Sequence, residues 1–188
     1  ALDWFAEQGA EIVELEVPNL DALLSGSDVL SIEFPPDLES YLATFGSEEV
    51  RSLDQMIERG LFHQAVSGVL RYSASLNVSD SDYQSRLSMR SELRAAIERT
   101  LSENDLDGLV YPTIGQLPVR LGDPQTGDPA TGANCTLSAN SGLPAISFSA
   151  GFTDNGLPVG IEILGPMLSD AELLAIAHSY EKANHIRR

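Results

Sequence analysis

The sequence predicts an α/β fold, and three of its features carry that assignment. Residues 1–104 place apolar side chains mostly at helical spacing. Residues 105–188 contain short apolar runs closed by proline or glycine, two of them joined across Asn155-Gly156. An amphipathic helix ends the chain. At 188 residues the chain can bury one real core and is too short to plan on two, so residues 1–188 are read as belonging to a single domain.

Taken in order, Ala1 to Gly9 puts Leu2, Phe5 and Ala6 on one helical face with Gly9 as the stop. Glu11 to Val17 then alternates apolar and acidic residues like a half-buried strand ended by Pro18. A helix, a glycine and a strand from the first residue, with no Met and no capping residue, read as a piece of a longer protein. Asp21 to Glu103 is mostly helical, with Pro35 and Pro36 expected to break the first stretch. Ser47 is expected to cap a helix that runs to Arg59, ahead of Glu48 and Glu49. Ser79 to Leu101 forms a further amphipathic helix through Tyr83, Leu87, Arg90, Leu93, Arg94, Ile97 and Leu101.

The character changes at Asp107. Gly108 to Tyr111, closed by Pro112, reads as a buried strand. Residues 112–132 hold four prolines and four glycines, a loop of the length that is functional or mobile in compact domains. Ser141-Gly142 reads as the end of a short helix, Ala145 to Phe148 and Val159 to Leu164 as strands, and Asp154-Asn155-Gly156 as the turn between them. Ser169 is expected to cap the closing helix, with Asp170 and Glu172 in its first turn.

Charge excludes some functions. Twenty-eight Asp and Glu against 11 Lys and Arg leave a net charge of -17. Such a surface repels phosphate backbones and anionic lipids, so neither nucleic acid nor a membrane is expected as partner. No apolar run approaches the roughly eighteen residues of a membrane-spanning helix. A single cysteine, Cys135, permits no internal disulfide and fits a reducing, cytoplasmic setting.

Candidates for chemistry are few. Lys182, the one lysine, and His178 and His185 fall at the end of the last helix, where cations complement the helix dipole. His63 has no cysteine nucleophile or aspartate motif beside it. No His-x-x-x-His pair and no cysteine pair is present, so no metal site and no cofactor are expected. Ser138, Ser141, Ser147 and Ser149 form a serine-rich patch without a Gly-x-Ser-x-Gly elbow, better suited to close packing than to nucleophilic attack. Cys135 follows the long loop directly; a small buried hydrophobe and a pocket-lining residue are equally good readings of it.

The stretch from Asn134 to Gly165 carries a resemblance. Asn140 leads into Gly142-Leu143-Pro144-Ala145-Ile146-Ser147, followed by Gly156-Leu157-Pro158-Val159-Gly160 and a Leu- and Ala-rich helix from Ala171 to Tyr180. In that order these segments closely resemble the C-terminal part of amidase signature enzymes. Leu109-Val110-Tyr111-Pro112-Thr113 is similar to the family's strand leading into the pocket, and Gly9 to Val13 to its helix-to-strand step. Ser149 and Glu162 depart from it, standing where the family often has Pro and Gln.

The resemblance implies a mixed β-sheet core flanked by helices on both faces, the amidase signature fold, with this chain as its C-terminal part. It implies hydrolysis of a carboxylic amide to acid plus amine or ammonia through an acyl-serine intermediate. The nucleophilic serine, a second serine and a lysine would come from an N-terminal portion, because no Gly-Ser-Ser-Gly-rich stretch occurs here and Lys182 lies in the final helix. The expected partners are therefore that N-terminal portion and a small amide, with a homodimer also open, and the isolated chain is expected to be inactive. Thr113, Ile114, Asn134 and Cys135 are the expected substrate-binding wall, with no catalytic residue in the chain. Two alternatives remain: the A component of a tRNA-dependent amidotransferase, which the acidic charge disfavours, and a non-catalytic scaffold or binding chain of the same fold.

Overall fold

A computed structural model describes residues 1–46, 49–118 and 134–184. These fall into two compact units: residues 1–25, 90–118 and 134–184 form one, and residues 26–46 and 49–89 the other.

The first unit is built on a three-stranded sheet of order β1-β3-β2, with β1 at Leu109–Pro112, β2 at Ala145–Phe152 and β3 at Pro158–Leu164. The Asn-Gly signal forms the hairpin between β2 and β3. Gly156 adopts φ +78°, and its N–H donates to the Thr153 carbonyl at 2.8 Å. β2 runs four residues past its expected end because the pairing continues through a bulge at Ser149 to Gly151, with Gly151 at φ +139°. All three strands pair antiparallel. The α/β class and the two covered faces are as expected; the mixed pattern is not what these described strands form among themselves.

Helices cover both faces. On one, α1 (Leu2–Glu7) and α8 (Asp170–Asn184) bury Phe5, Leu173, Ala177 and Tyr180 against Phe148 and Ile163. Tyr180 lies 5.0 Å from Phe148, 5.4 Å from Phe5 and 5.1 Å from Trp4, centroid to centroid, so four aromatic rings close that side. On the other, Leu93, Ile97 and Leu101 of α6 (Asp80–Glu103) meet Leu137, Leu143 and the fully buried Leu164. The spacing of those α6 residues at i, i+4 and i+8 is the stripe that the sequence showed.

Two expectations in this unit need correction. Glu11 to Val17 is not a strand; among the described residues no partner ladder runs along it, and it lines a trough together with Leu109 to Tyr111 of β1 instead of pairing with them. Alternation alone makes a strand only where a neighbour offers its N–H and C=O groups. Ser169 precedes α8 as expected, and its carbonyl accepts the Leu173 N–H, yet its buried hydroxyl has no hydrogen-bond partner and caps nothing.

The second unit is helical. Here α2 (Leu20–Gly26) ends, and α3 (Leu30–Phe45) runs straight through Pro35 and Pro36 where a break was expected. Proline's fixed φ is already helical; what it removes is an N–H donor, and its ring crowds the carbonyl four residues back. Contacts from outside the helix help to hold the segment, as in the 2.6 Å hydrogen bond from Tyr83 Oη to Glu33 Oε1. The helix expected from Ser47 is shorter, α4 at Leu53–Glu58, and starts at Ser52, whose Oγ accepts the Gln55 N–H at 3.2 Å while Gln55 Oε1 accepts the Arg51 N–H at 2.8 Å. Ser47 itself lies outside the described residues. A short 3₁₀ turn at Gln64–Val66 leads into α5 (Ser67–Ser75), and the start of α6 is capped by Ser79, whose Oγ accepts the Asp82 N–H at 3.1 Å.

Candidate functional site

β1 ends at Pro112, and the backbone then stays beside the sheet. The Thr113 N–H donates to the Gly160 carbonyl at 3.3 Å, and the Thr113 carbonyl accepts the Asn134 N–H at 3.1 Å. Asn134 turns its side chain back, Nδ2 donating to the Pro112 carbonyl at 2.7 Å. Cys135 follows, exposed and free, immediately before α7 (Thr136–Ser141). Three of the expected wall residues, Thr113, Asn134 and Cys135, thus meet where β1 and α7 converge. Ile114, 57% exposed, stands out into solvent beside them. Of the long loop expected between them, residues 119–133 lie outside the described ones.

Beneath this corner sits a residue that the sequence marks only as a departure from the family's glutamine. Glu162 is only 4% exposed, on the central strand β3, and its register neighbours are Tyr111 on β1 and Ser147 on β2. All three project from one face of the sheet. Tyr111 Oη donates to Glu162 Oε1 at 2.7 Å, Ser147 Oγ to Oε2 at 2.9 Å, and Ser138 Oγ, from α7, to Oε1 at 3.2 Å. Thr113 Oγ1 in turn lies 3.2 Å from Ser147 Oγ. A buried carboxylate with three hydroxyl donors ties together both edge strands and the helix above them. Burial first, then the hydrogen bond to Glu162 and its charge, and last the Cys135 side chain, push the Tyr111 phenol far above its ordinary 10.0.

α7 is anchored from its other end. Arg90 Nε and Nη2 donate to the Asn140 and Ala139 carbonyls at 3.0 and 2.7 Å, and Arg94 Nε to the Ser141 carbonyl at 2.7 Å. Gly142 ends the helix at φ +69°, as the Ser141-Gly142 step predicted, and a Cβ there would meet Arg94 Nη2 at 2.9 Å. Two arginines on α6 thereby supply donors to the carbonyls that the short helix leaves open.

The remaining candidates are dispersed. His63 caps the 3₁₀ turn, its Nδ1 accepting the Ala65 N–H at 3.2 Å. His178 and Lys182 are exposed on α8, and His185 lies outside the described residues. Ser141 is buried and spends its hydroxyl on the Leu137 carbonyl at 2.7 Å. Among the described residues no cluster of His, Cys, Asp and Glu could hold a metal, and no helix is long and apolar enough to cross a membrane. One signal could have found Glu162: it is the single charged residue in the apolar run Val159 to Leu164, two residues from the core position Leu164 and so on its face.

A trough of about 1230 Å³ opens beside β1, lined by Glu11 to Val17, by Gly108 to Tyr111 and by Asn134. Comparison with known proteins then decides the family, since the profile described as "Amidase" matches residues 1–174. The chain belongs to the amidase family. An indoleacetamide hydrolase of Agrobacterium vitis is 31% identical over 97% of this chain and 41% of its own length. The A component of a glutamyl-tRNA(Gln) amidotransferase from Synechococcus sp. (strain RCC307) is 28% identical over 97% of the chain and 40% of its own length. The chain therefore spans about two fifths of the curated relatives it matches. Among solved structures, the native peptide amidase of Stenotrophomonas maltophilia superposes with a TM-score of 0.74 at 29% identity, over 100% of this chain and 39% of that one. A bacterial aryl acylamidase of the amidase signature family shares the fold at a TM-score of 0.69 and 20% identity, over 97% of this chain and 38% of that one. The fold is the amidase signature fold.

Proposed function

We propose that this chain is the C-terminal part of an amidase domain that hydrolyses a carboxylic amide to acid plus amine or ammonia. A serine outside these residues attacks the carbonyl carbon, the C–N bond breaks, the nitrogen leaves with a proton, and water releases the acid from the acyl-serine. The serine pair and lysine reside in the N-terminal portion of the same enzyme. This chain supplies the sheet and the pocket wall at Thr113, Ile114, Asn134 and Cys135, and is inactive alone. The observation that carries the reading is the family match over residues 1–174 in a chain that spans about two fifths of its relatives. The outer edge of β1, a strand that pairs only with β3 among the described residues, supports the partner assignment, as do exposed Ile12 and Val13 across the trough. Such an edge accepts a further strand.

The test is fluorophosphonate labelling of the full-length enzyme with peptide mapping, together with hydrolysis of indole-3-acetamide. The adduct is expected on a serine outside residues 1–188, with the isolated chain neither labelled nor active. An adduct on Ser138, Ser141, Ser147 or Ser149, or a full-length enzyme that takes no label, overturns the assignment. The amidotransferase likeness supports a second reading, in which the amide is glutamine and a tRNA-bound acceptor takes the ammonia; the -17 charge makes this chain a poor surface for the tRNA.

A further inference from the structure

Asn155-Gly156 is the one Asn-Gly pair in the 188 residues, and it lies at the tip of the hairpin between β2 and β3. The Asn155 side chain is exposed, and among the described residues nothing hydrogen-bonds it. Other asparagines are tied down. Asn104, Asn134 and Asn184 donate Nδ2 to the carbonyls of Thr100 at 2.8 Å, Pro112 at 2.7 Å and Tyr180 at 2.9 Å, and Asn140 lies inside α7. Asn19 and Asn77 precede Leu20 and Val78, whose side chains crowd the backbone nitrogen that follows. Gly156 has no Cβ to do so, and its φ of +78° is one that glycine adopts freely.

The Gly156 nitrogen is thus sterically open to Asn155 Cγ, and one hydrogen restrains it. Its N–H donates to the Thr153 carbonyl at 2.8 Å, and the nitrogen attacks a carbonyl carbon only once that hydrogen has gone. Two more bonds close the tip: the Thr153 N–H donates to the Leu157 carbonyl at 2.9 Å, and the Leu157 N–H to Thr153 Oγ1 at 3.1 Å.

We propose that Asn155 is a site of spontaneous covalent modification, at which the hairpin tip converts to isoaspartate each time it opens far enough to free the Gly156 nitrogen. That nitrogen gives its proton to water and bonds to Asn155 Cγ. The Cγ–Nδ2 bond breaks, and Nδ2 takes up a proton and leaves as ammonia. Water then opens the resulting succinimide ring, giving aspartate from attack at one carbonyl and isoaspartate from attack at the other. One water is consumed, one ammonia is released, and nothing is oxidised or reduced. Isoaspartate routes the main chain through the side-chain carbon and adds one carbon to the turn, so the Thr153 and Leu157 bonds no longer close together. The closed hairpin slows the reaction, and the reaction prevents the hairpin from closing again; local opening sets its pace.

The experiment incubates the full-length protein beside a synthetic peptide of residues 152–159 in mildly alkaline buffer. Peptide mapping follows Asn155, with electron-transfer fragmentation separating aspartate from isoaspartate. Asn155 is expected to convert faster than any other asparagine of the 188 residues, with isoaspartate in excess. Its rate should be about tenfold below that of the peptide, the worth of the hydrogen bond on the Gly156 N–H. Thr153→Ala, which removes the Oγ1 acceptor, should speed it several-fold. Asn155→Gln should stop both the conversion and the fall in urea midpoint of the aged protein. Asn155 intact once the peptide has converted, another asparagine of these residues converting first, or aspartate formed without isoaspartate overturns the proposal. A rate equal to the peptide's and unmoved by Thr153→Ala overturns the control by the closed tip.

Discussion

Replacing Glu162 with leucine removes the acceptor that three hydroxyls share, and those hydroxyls lose unequal amounts. Ser147 is exposed and turns to water. Ser138 keeps an alternative acceptor, the Cys135 carbonyl at 3.1 Å. Tyr111, half-buried with its Oη 2.7 Å from Oε1, depends on that one carboxylate and is left with a stranded donor. A buried hydroxyl in that position costs about 1–3 kcal/mol. Against this, leucine spares the sheet a buried carboxylate, whose desolvation offsets part of the loss. The expected net destabilisation is about 2 kcal/mol, carried mainly by Tyr111. Tyr111→Phe removes the stranded donor in advance, so in that background Glu162→Leu should cost less than about 0.5 kcal/mol, a coupling of roughly 1.5 kcal/mol. Urea unfolding of the full-length enzyme at pH 7, compared at unchanged m, measures all four corners of the cycle. Additivity within about 0.5 kcal/mol, or a Glu162→Leu protein more stable than the wild type, would refute the account of Tyr111 as the residue that depends on the carboxylate.

The other expectations concern the core, alkaline pH and the pocket. Leu164→Ala, at a fully buried position on the central strand among Leu93, Ile97, Leu101, Leu137 and Leu143, should lower stability by about 3–4 kcal/mol in the same urea assay, and a loss under about 1 kcal/mol would mean that the site collapses around the gap. Because the folded Tyr111 holds its proton well past the ordinary 10.0, the native state binds more protons than the unfolded chain above that pH. Stability is therefore full below pH 10 and falls as pH rises beyond it; Tyr111→Phe should flatten that fall in alkaline melts, and an identical fall in the variant would assign it to other groups. Cys135→Trp, at an exposed position beside Asn134, should raise KM several-fold or change the preference among indole-3-acetamide, benzamide and hexanamide, whereas unchanged kinetics on all three would remove Cys135 from the pocket wall.

Legibility differed by the kind of signal. Elements written in local chemistry were readable: Gly156 because a positive φ is needed at the hairpin, Gly142 for the same reason at the end of α7, and Leu93, Ile97 and Leu101 because three turns of one face must be apolar. Elements that depend on a neighbour were not. Glu11 to Val17 alternates correctly and still finds no ladder, and Pro35 and Pro36 sit inside a helix that local rules end before them. At the candidate site, Thr113, Asn134 and Cys135 were expected through family likeness, and one backbone hydrogen bond joins Thr113 to Asn134 across a gap of twenty-one positions. Glu162 was legible only as a departure from the family's glutamine, because its partners lie in register: Tyr111 and Ser147 meet it only once β1 and β2 have both aligned on β3, and no spacing in the chain encodes that distance.

The ring quartet that joins α1 to α8 has a practical side. Trp4 is the only tryptophan of these 188 residues, and its indole stands edge-on to Tyr180 at 5.1 Å and to Phe5 at 5.2 Å. In a full-length enzyme whose tryptophans outside these residues are replaced, its emission is therefore a native optical gauge of whether the last helix is seated. Lifting α8 would wet the indole and shift its spectrum to the red while the strands still hold, so loosening of the C-terminal end can be timed separately from loss of the sheet without attaching a dye.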